Sequence, residues 1–292
     1  MTETYRVTST QKNTASMIHT ENHQAISAFF PRKLKPICGD EVEVEHLKSE
    51  FRITRINKRF NSFCRADSRG RKQHIAANVD QIMIVMAVKP EPTRDILNRY
   101  LVVAEKEGIT PLLVFNKSDM DPLFFVNTIN QYEKLGYLTF KTYNQDPSTV
   151  VDLKRQLADK TTILAGQSGV GKSSLTELMM PEVKLKTGKL SDKTGKGAHT
   201  TSVTQMYHDS TLNANIIDSP GVWEYGLWSM EAHEIAAGFI DFDDFMGQCK
   251  FSNCTHIHEP GCAIELAVKQ GKIKNNRFES YLRIVDSMKY WA

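Results

Sequence analysis

A buried strand that passes through a glycine-rich turn straight into a helix leaves few architectures open, and residues 161–180 have that form. Thr161 to Ala165 is a short apolar, β-branched run, and Ser174-Leu-Thr-Glu-Leu-Met-Met continues with helical spacing as far as Pro181. Between them lies Gly166-Gln167-Ser168-Gly169-Val170-Gly171-Lys172-Ser173-Ser174, a Gly-x4-Gly-Lys-Ser loop. Glycines at those spacings let successive amide hydrogens turn inward toward phosphate oxygens, and the helix that follows adds its positive end. Lys172 would reach the β- and γ-phosphates, and Ser173 would give a hydroxyl to Mg2+. The stretch is expected to cradle a nucleoside triphosphate; the plainer alternative is a strand-to-helix turn without a ligand.

The surrounding pattern alternates strand and helix. Ile82 to Val88 reads as a strand, Thr93 to Glu107 as a helix and Pro111 to Phe115 as a strand. Phe124 to Leu135 and Ser148 to Ala158 read as helices on either side of a strand from Leu138 to Thr142. Such alternation predicts an α/β fold, a parallel sheet covered by helices on both faces. Directly after the strand ending at Phe115 comes Asn116-Lys117-Ser118-Asp119. A carboxylate at Asp119 can accept from both guanine N1-H and the exocyclic N2 amine, a pattern adenine does not offer, so the base is expected to be guanine. Asn116 would steady the loop, and the stem of Lys117 would cover the ring. Ala214-Asn-Ile-Ile-Asp218-Ser-Pro-Gly221 reads as a strand entering Asp-x-x-Gly, with Asp218 toward Mg2+ through water and the Gly221 amide toward the γ-phosphate.

Between these lies Lys193-Thr-Gly-Lys-Gly-Ala-His199-Thr200-Thr201, a glycine-punctuated loop. It reads as a first switch, with Thr201, ahead of Thr200, completing the Mg2+ shell. Val222 stands where Ras-like enzymes carry the glutamine that orients the attacking water, and an apolar side chain cannot do that. His199 is the candidate replacement, with a solvated loop histidine as the alternative. The guanine box precedes the phosphate loop by about fifty residues, the reverse of the ordinary order, so the nucleotide domain must be circularly permuted. The second switch, after Gly221, then runs directly into the C-terminal segment, which can sense the nucleotide state.

Ahead of that domain, residues 1–34 are polar and are expected to form a mobile tail. Residues 35–78 carry short alternating runs, Asp40-Glu-Val-Glu-Val-Glu and Phe51-Arg-Ile-Thr-Arg-Ile, that suggest a small all-β barrel or sandwich. Arg52, Arg55, Lys58, Arg59, Arg65, Arg69, Arg71 and Lys72 cluster there among Phe51, Phe60 and Phe63, with Asp67 the one acid beside them. This is either an RNA-binding face or a solvated basic one. The whole-chain charge of +3 is too small to decide between them. No apolar run approaches membrane-spanning length, and the N-terminus lacks the apolar core of a signal peptide, so a cytoplasmic protein away from membranes is expected.

Near the end, Cys249-x4-Cys254-x-His256-x5-Cys262 supplies three thiolates and an imidazole, a soft set suited to one structural Zn2+ with no position left open for a catalytic water. Buried free cysteines are the alternative, and His258 is a competing imidazole. A basic amphipathic helix, Asn275 to Met288, follows, with Phe278, Leu282 and Val285 expected on its packed face. The domains are thus expected at 1–34, 35–78, 79–229 and 230–292.

A permuted nucleotide domain with a small β-domain in front and a cysteine/histidine cluster behind resembles the RsgA (YjeQ/YloQ) family of bacterial GTPases of small-ribosomal-subunit maturation. The resemblance is carried by Ile75-Ala-Ala-Asn-Val-Asp80, Arg99-Tyr-Leu-Val102, Asn116–Asp119, Gly166–Ser174, His199–Thr201, Asp218–Gly221 and the cysteine cluster, over about residue 35 to the end. It implies an OB-fold N-terminal domain, a permuted GTPase domain and a zinc-binding helical C-terminal domain. It also implies a monomer that hydrolyses GTP to GDP, stimulated by the small subunit, in contact with 16S ribosomal RNA. A GTP-controlled RNA-binding module whose hydrolysis is incidental is the alternative. Ala198 and Trp223 stand where many members carry basic residues. Gly169 stands where potassium-dependent GTPases carry Asn, so no potassium is expected.

Overall fold

The computed structural model describes residues 3–48, 50–93, 95–183, 203–219 and 227–291. Five strands, β1 (Thr4–Gln11), β2 (Thr14–His19), β3 (Ala25–Phe29), β4 (Glu41–Leu47) and β5 (Glu50–Ile56), close a barrel in the order β1-β2-β3-β5-β4. β4 pairs back onto β1, and β3 runs parallel to β5. This is the strand order of an OB-fold. Residues 4–29 are therefore not a mobile tail but three of the five barrel strands. A barrel this small needs only alternate side chains inside, and its interior is Tyr5, Val7, Ala15, Met17, Ala28, Val42 and Ile53. The outward positions are Thr, Ser, Arg and Glu, which makes the strands read as polar.

β6 (Ser62–Ala66) and β7 (Lys72–Ala77) form a separate hairpin outside the barrel. Phe63, Cys64, Ala66, Ile75 and Ala76 belong to the core of the following domain. The basic cluster is thereby divided between two bodies. Asp67 is also not its only acid: Arg59 pairs with fully buried Asp40, Arg55 with Glu43, and Lys72 with Glu107. Phe63 is core, whereas Phe60 is 68% exposed.

The central sheet has the order β10-β9-β8-β11-β13-β12. Its strands are β8 (Gln81–Ala87), β9 (Thr110–Asn116), β10 (Leu138–Lys141), β11 (Thr161–Ala165), β12 (Gln205–Asp209) and β13 (Ala214–Asp218). All neighbours are parallel except the edge pair β12–β13. All seven residues of β8 are buried. Ile82, Ile84 and Met86 face a core shared with α1 (Ile96–Glu107) and α2 (Val126–Lys134). Met83, Val85 and Ala87 face a second core shared with α3 (Val151–Leu157) and α4 (Lys172–Met179). Covering a parallel strand on both faces explains its unbroken apolar sequence.

The C-terminal segment carries α5 (Ala232–Ala236), α6 (Ala263–Lys269) and α7 (Asn275–Ser287), and it packs into the same core as α1. The buried face of α7 is Arg277, Ser280, Tyr281 and Ile284. Phe278, Leu282 and Val285, expected there, are only half-buried. A guanidinium moves the buried face round because Arg277, 1% exposed, has its partners inside: Asp241 at 2.6 Å, Asn98 at 2.5 Å, and the Phe239 ring 4.4 Å away. Among the described residues no helix is long and apolar enough to cross a membrane.

Candidate functional site

The carboxyl ends of β9, β11 and β13 converge, and each delivers one of the segments singled out by sequence. β11 ends at Ala165, and the loop from Gly166 to Gly171 leads into α4 at Lys172. Gly166 (φ +129°) and Gly171 (φ +97°) lie in backbone regions that side chains rarely adopt. A Cβ on Gly166 would lie 2.2 Å from the Val85 carbonyl oxygen, and one on Gly171 would lie 2.4 Å from Asn116 Nδ2. The loop is thus pressed against β8 on one side and against the Asn-Lys-x-Asp segment on the other. Lys172 Nζ donates to the carbonyls of Gly166 and Gln167 at 2.7 and 2.9 Å, which holds the ammonium at the mouth of the loop.

The base-side segment is locked to this loop by side chains. Asn116 is fully buried; its Nδ2 donates to the Val170 carbonyl at 2.9 Å, and its Oδ1 accepts from the Thr142 hydroxyl at 3.0 Å. Lys117, left-handed at φ +57°, donates through Nζ to the carbonyls of Gly169 and Lys89, both at 2.7 Å. The Ser118 amide donates to the Thr142 carbonyl at 3.2 Å. Asp119 is exposed at the open side, where its carboxylate is accessible. Thr142 carries no motif and is a site residue that sequence reasoning did not identify. It bonds to Phe115, Asn116 and Ser118 at once, and its signal was its position one residue past β10, beside β9.

Asp218 ends β13, next to β11. Burial pushes its carboxyl up from the ordinary range, and the Lys172 ammonium partly offsets this. Burial likewise pulls Lys172 down, with Asp218 opposing it. Two opposite charges, one ending β13 and the other opening α4, suit a phosphate and a divalent cation, each of which would meet its counter-charge there. Ser173 and Ser174 lie in the first turn of α4, with Ser173 half-buried and Ser174 exposed, and Ser168 and Gly169 are exposed at the rim. His199, Thr200, Thr201, Gly221 and Val222 lie outside the described residues, as do Ala198 and Trp223.

In the C-terminal segment the ligand atoms of Cys249, Cys254, His256 and Cys262 lie within 4.8 Å of one another. His256 Nδ1 faces two sulfurs, Cys249 at 3.5 Å and Cys262 at 3.4 Å, so Nδ1 is the nitrogen available to a shared ion. The Ala263 amide donates to the Cys249 sulfur at 3.3 Å and the Glu265 amide to the Cys262 sulfur at 3.4 Å, bonds that favour thiolates. Burial pushes the Cys254 thiol up to about 12 and raises Cys262 as well, so these groups stay neutral thiols unless a bound cation stabilises the thiolates. This donor set fits Zn2+. His258 is exposed and outside the cluster. Glu259 shapes the turn, accepting from the amides of Thr255, Ile257 and His258.

A family model described as RsgA GTPase matches residues 56–228. The small ribosomal subunit biogenesis GTPase RsgA of Histophilus somni is 40% identical over 281 residues, covering 93% of this chain and 80% of that protein. That of Hahella chejuensis is 43% identical over 233 residues, which is 77% of this chain but only 65% of the relative. The fold superposes on YjeQ from Thermotoga maritima with a TM-score of 0.80 at 29% identity, covering 99% of each chain. It also superposes on YloQ, described as a circularly permuted GTPase, with a TM-score of 0.76 at 25% identity, covering 100% of this chain and 96% of that one. With the family model matching more than half of the chain and a relative 40% identical over 93% of it, the chain belongs to the RsgA GTPase family.

Proposed function

We propose that the chain binds GTP between the Asn116–Asp119 segment and the Gly166–Ser174 loop and hydrolyses it to GDP and phosphate as a maturation factor of the small ribosomal subunit. The observation that carries this reading is the Asn116 clasp. One buried side chain joins the phosphate loop, through Val170, to the base-side loop, through Thr142, so both ends of one nucleotide are held in register. Asp119 selects guanine; Lys172 and the loop amides meet the phosphates. Ser173 and Thr201 would hold Mg2+ with Asp218 through water, and the bound ion would neutralise charge on the β- and γ-phosphate oxygens. Cys249, Cys254, His256 and Cys262 would hold one Zn2+ as a structural staple.

Hydrolysis requires a water to attack the γ-phosphorus in line as the bond to the β-γ bridging oxygen breaks. With Val222 unable to orient that water, His199 takes the role, one of its ring nitrogens accepting a hydrogen bond from the water. The protein works as a cytosolic monomer on 16S ribosomal RNA in the small subunit, and the subunit stimulates turnover through His199. Purified small subunits should therefore raise the GTPase rate of the wild type. His199→Ala should bind GTP and the subunit normally and lose about a hundredfold of the stimulated rate. A stimulated rate in that variant within about threefold of wild type would remove His199 from the mechanism. Absence of any stimulation in the wild type would favour the RNA-binding module with incidental hydrolysis.

A further inference from the structure

Asp95 stands at the N-cap of α1, where a carboxylate ordinarily accepts from the first free amides of a helix, and it makes no such bond. Its backbone is left-handed at φ +64°, a conformation that a non-glycine residue keeps only where its surroundings impose it. The carboxylate turns instead to α7. Arg283 grips both oxygens, Nε to Oδ2 at 2.8 Å and Nη2 to Oδ1 at 2.7 Å, and the Asp95 side chain is only 9% exposed. Two residues earlier in the chain, Thr93 faces the phosphate loop. Gln167 Oε1 accepts from the Thr93 amide at 3.0 Å, and Gln167 Nε2 donates to the Thr93 hydroxyl at 2.5 Å. The Ile96 amide donates to the Thr93 carbonyl at 3.1 Å, which ties Thr93 to the start of α1. The same segment borders the loop again at Lys89, whose carbonyl shares the Lys117 ammonium with Gly169, and at Pro90, beside Gly169.

We propose that Thr93 and Asp95 are positioning residues for the phosphate loop, through which the docking of α7 on α1 sets how tightly the nucleotide is held. The inference rests on the reading of Gly166–Ser174 as a nucleotide loop. With α7 docked, Arg283 fixes Asp95 in its left-handed state, Thr93 is aimed at Gln167, and the loop backbone has a rigid neighbour. With α7 displaced, the carboxylate has an alternative partner in the free amides of α1. Taking it returns Asp95 to an extended backbone and swings Thr93 off Gln167. The two arrangements compete for one carboxylate, which is the bistable element such coupling requires. Because coupling between sites is reciprocal, nucleotide binding favours the docked α7, and whatever pulls α7 away speeds nucleotide release.

The test measures release of N-methylanthraniloyl-GDP from the full chain, with GTP turnover alongside. Thr93→Val removes the hydroxyl and keeps the amide. Asp95→Asn keeps a residue that tolerates the left-handed backbone and loses the charge. Arg283→Gln acts from the far side of the path. Each should speed release by about threefold to tenfold, the size of one or two lost hydrogen bonds. KM for GTP should rise with kcat unchanged, whereas a general loosening of the fold would lower kcat as well. Thr93→Val combined with Arg283→Gln should release no faster than the faster single variant, since both break one path. Should Arg283→Gln melt early, Arg283→Lys, which keeps the charge without the fork, takes its place. Release within twofold of wild type in the α7 variants, or rates that multiply in the double variant, would overturn the proposal. A wild-type chain that fails to bind the labelled GDP would overturn the function itself, an outcome visible before any variant is made.

Discussion

Asp119 contributes a bare carboxylate at the open edge of the site, while its neighbours Asn116, Lys117 and Ser118 are spent on Val170, Gly169 and Thr142. This division of labour makes Asp119 the residue whose replacement changes selectivity with the least effect on folding. Asp119→Asn presents an amide donor where guanine also presents donors, and it matches xanthine, whose C2 carbonyl replaces the amine. GTP affinity should fall by about a hundredfold, as expected for two charge-assisted hydrogen bonds at about 1.5 kcal/mol each. Xanthosine triphosphate should take its place in competition titrations. GTP affinity unchanged in the variant would refute the guanine assignment. Asn116 behaves differently: fully buried and doubly bonded, it would lose fold and ligand together if truncated, so its variants could not separate the two.

At the scale of elements, the cysteine-histidine turn between α5 and α6 is shaped by polar donors. His256 sits at φ +60°, and the turn around it is pinned by Glu259; Tyr281 of α7 donates to the Thr255 carbonyl at 2.6 Å. Freshly purified protein should carry one equivalent of zinc by elemental analysis. Its removal by a chelator, or Cys254→Ala, should increase amide exchange in α6 and the first turns of α7 while leaving the central strands protected. Less than half an equivalent would argue for the free-cysteine reading. The elements also show why some of the fold could be read in advance. β8, β9 and β11 are buried on both faces, so their sequences are continuous apolar runs. β1 to β3 surround a narrow barrel, half of each strand faces water, and Ala15 and Ala28 suffice inside, so the same rule reads them as a tail. The start of α1 was expected at Thr93 and is found at Ile96, because the left-handed backbone of Asp95, whose side chain Arg283 holds, cannot continue the helix toward Thr93. That contact spans 188 residues and has no local sequence signature. The burial of Arg277 was illegible for the same reason: a basic residue reads as solvent-facing until its distant partners are known.

On the scale of the whole molecule, two of the contacts between the parts carry testable consequences. The barrel meets the sheet where His23, left-handed at φ +56°, stacks on His208 of β12 with ring centroids 3.8 Å apart. Burial lowers His23, and His208, Arg6 and His19 lower it further; Asp80 and Asp159 line the same cleft. A histidine held below its ordinary value favours the folded contact while neutral. Its contribution is complete above about pH 6.5 and is lost as pH falls through the lowered value. Protection factors in β1 and β12, corrected for the pH dependence of intrinsic exchange, should therefore fall on acidification from pH 7.5 to 5, and less steeply in His208→Phe, which removes one of the neighbours that lower His23. The other contact is Arg277. It lies between α7, Asp241 and Asn98, with Tyr132 donating to the same Asn98 oxygen. Removing one member of such a buried pair leaves the other charge without a partner, which costs about 3–5 kcal/mol. Arg277→Ala should lower the urea midpoint accordingly. In Arg277→Met combined with Asp241→Leu, no buried charge is orphaned and Asn98 retains the Tyr132 hydroxyl, so most of that loss should be recovered. A double variant as unstable as Arg277→Ala would mean that the guanidinium matters for its stacking on Phe239 and not for its charge. The α7 junction would then be held by packing, with Arg283 left as its polar link to the nucleotide loop.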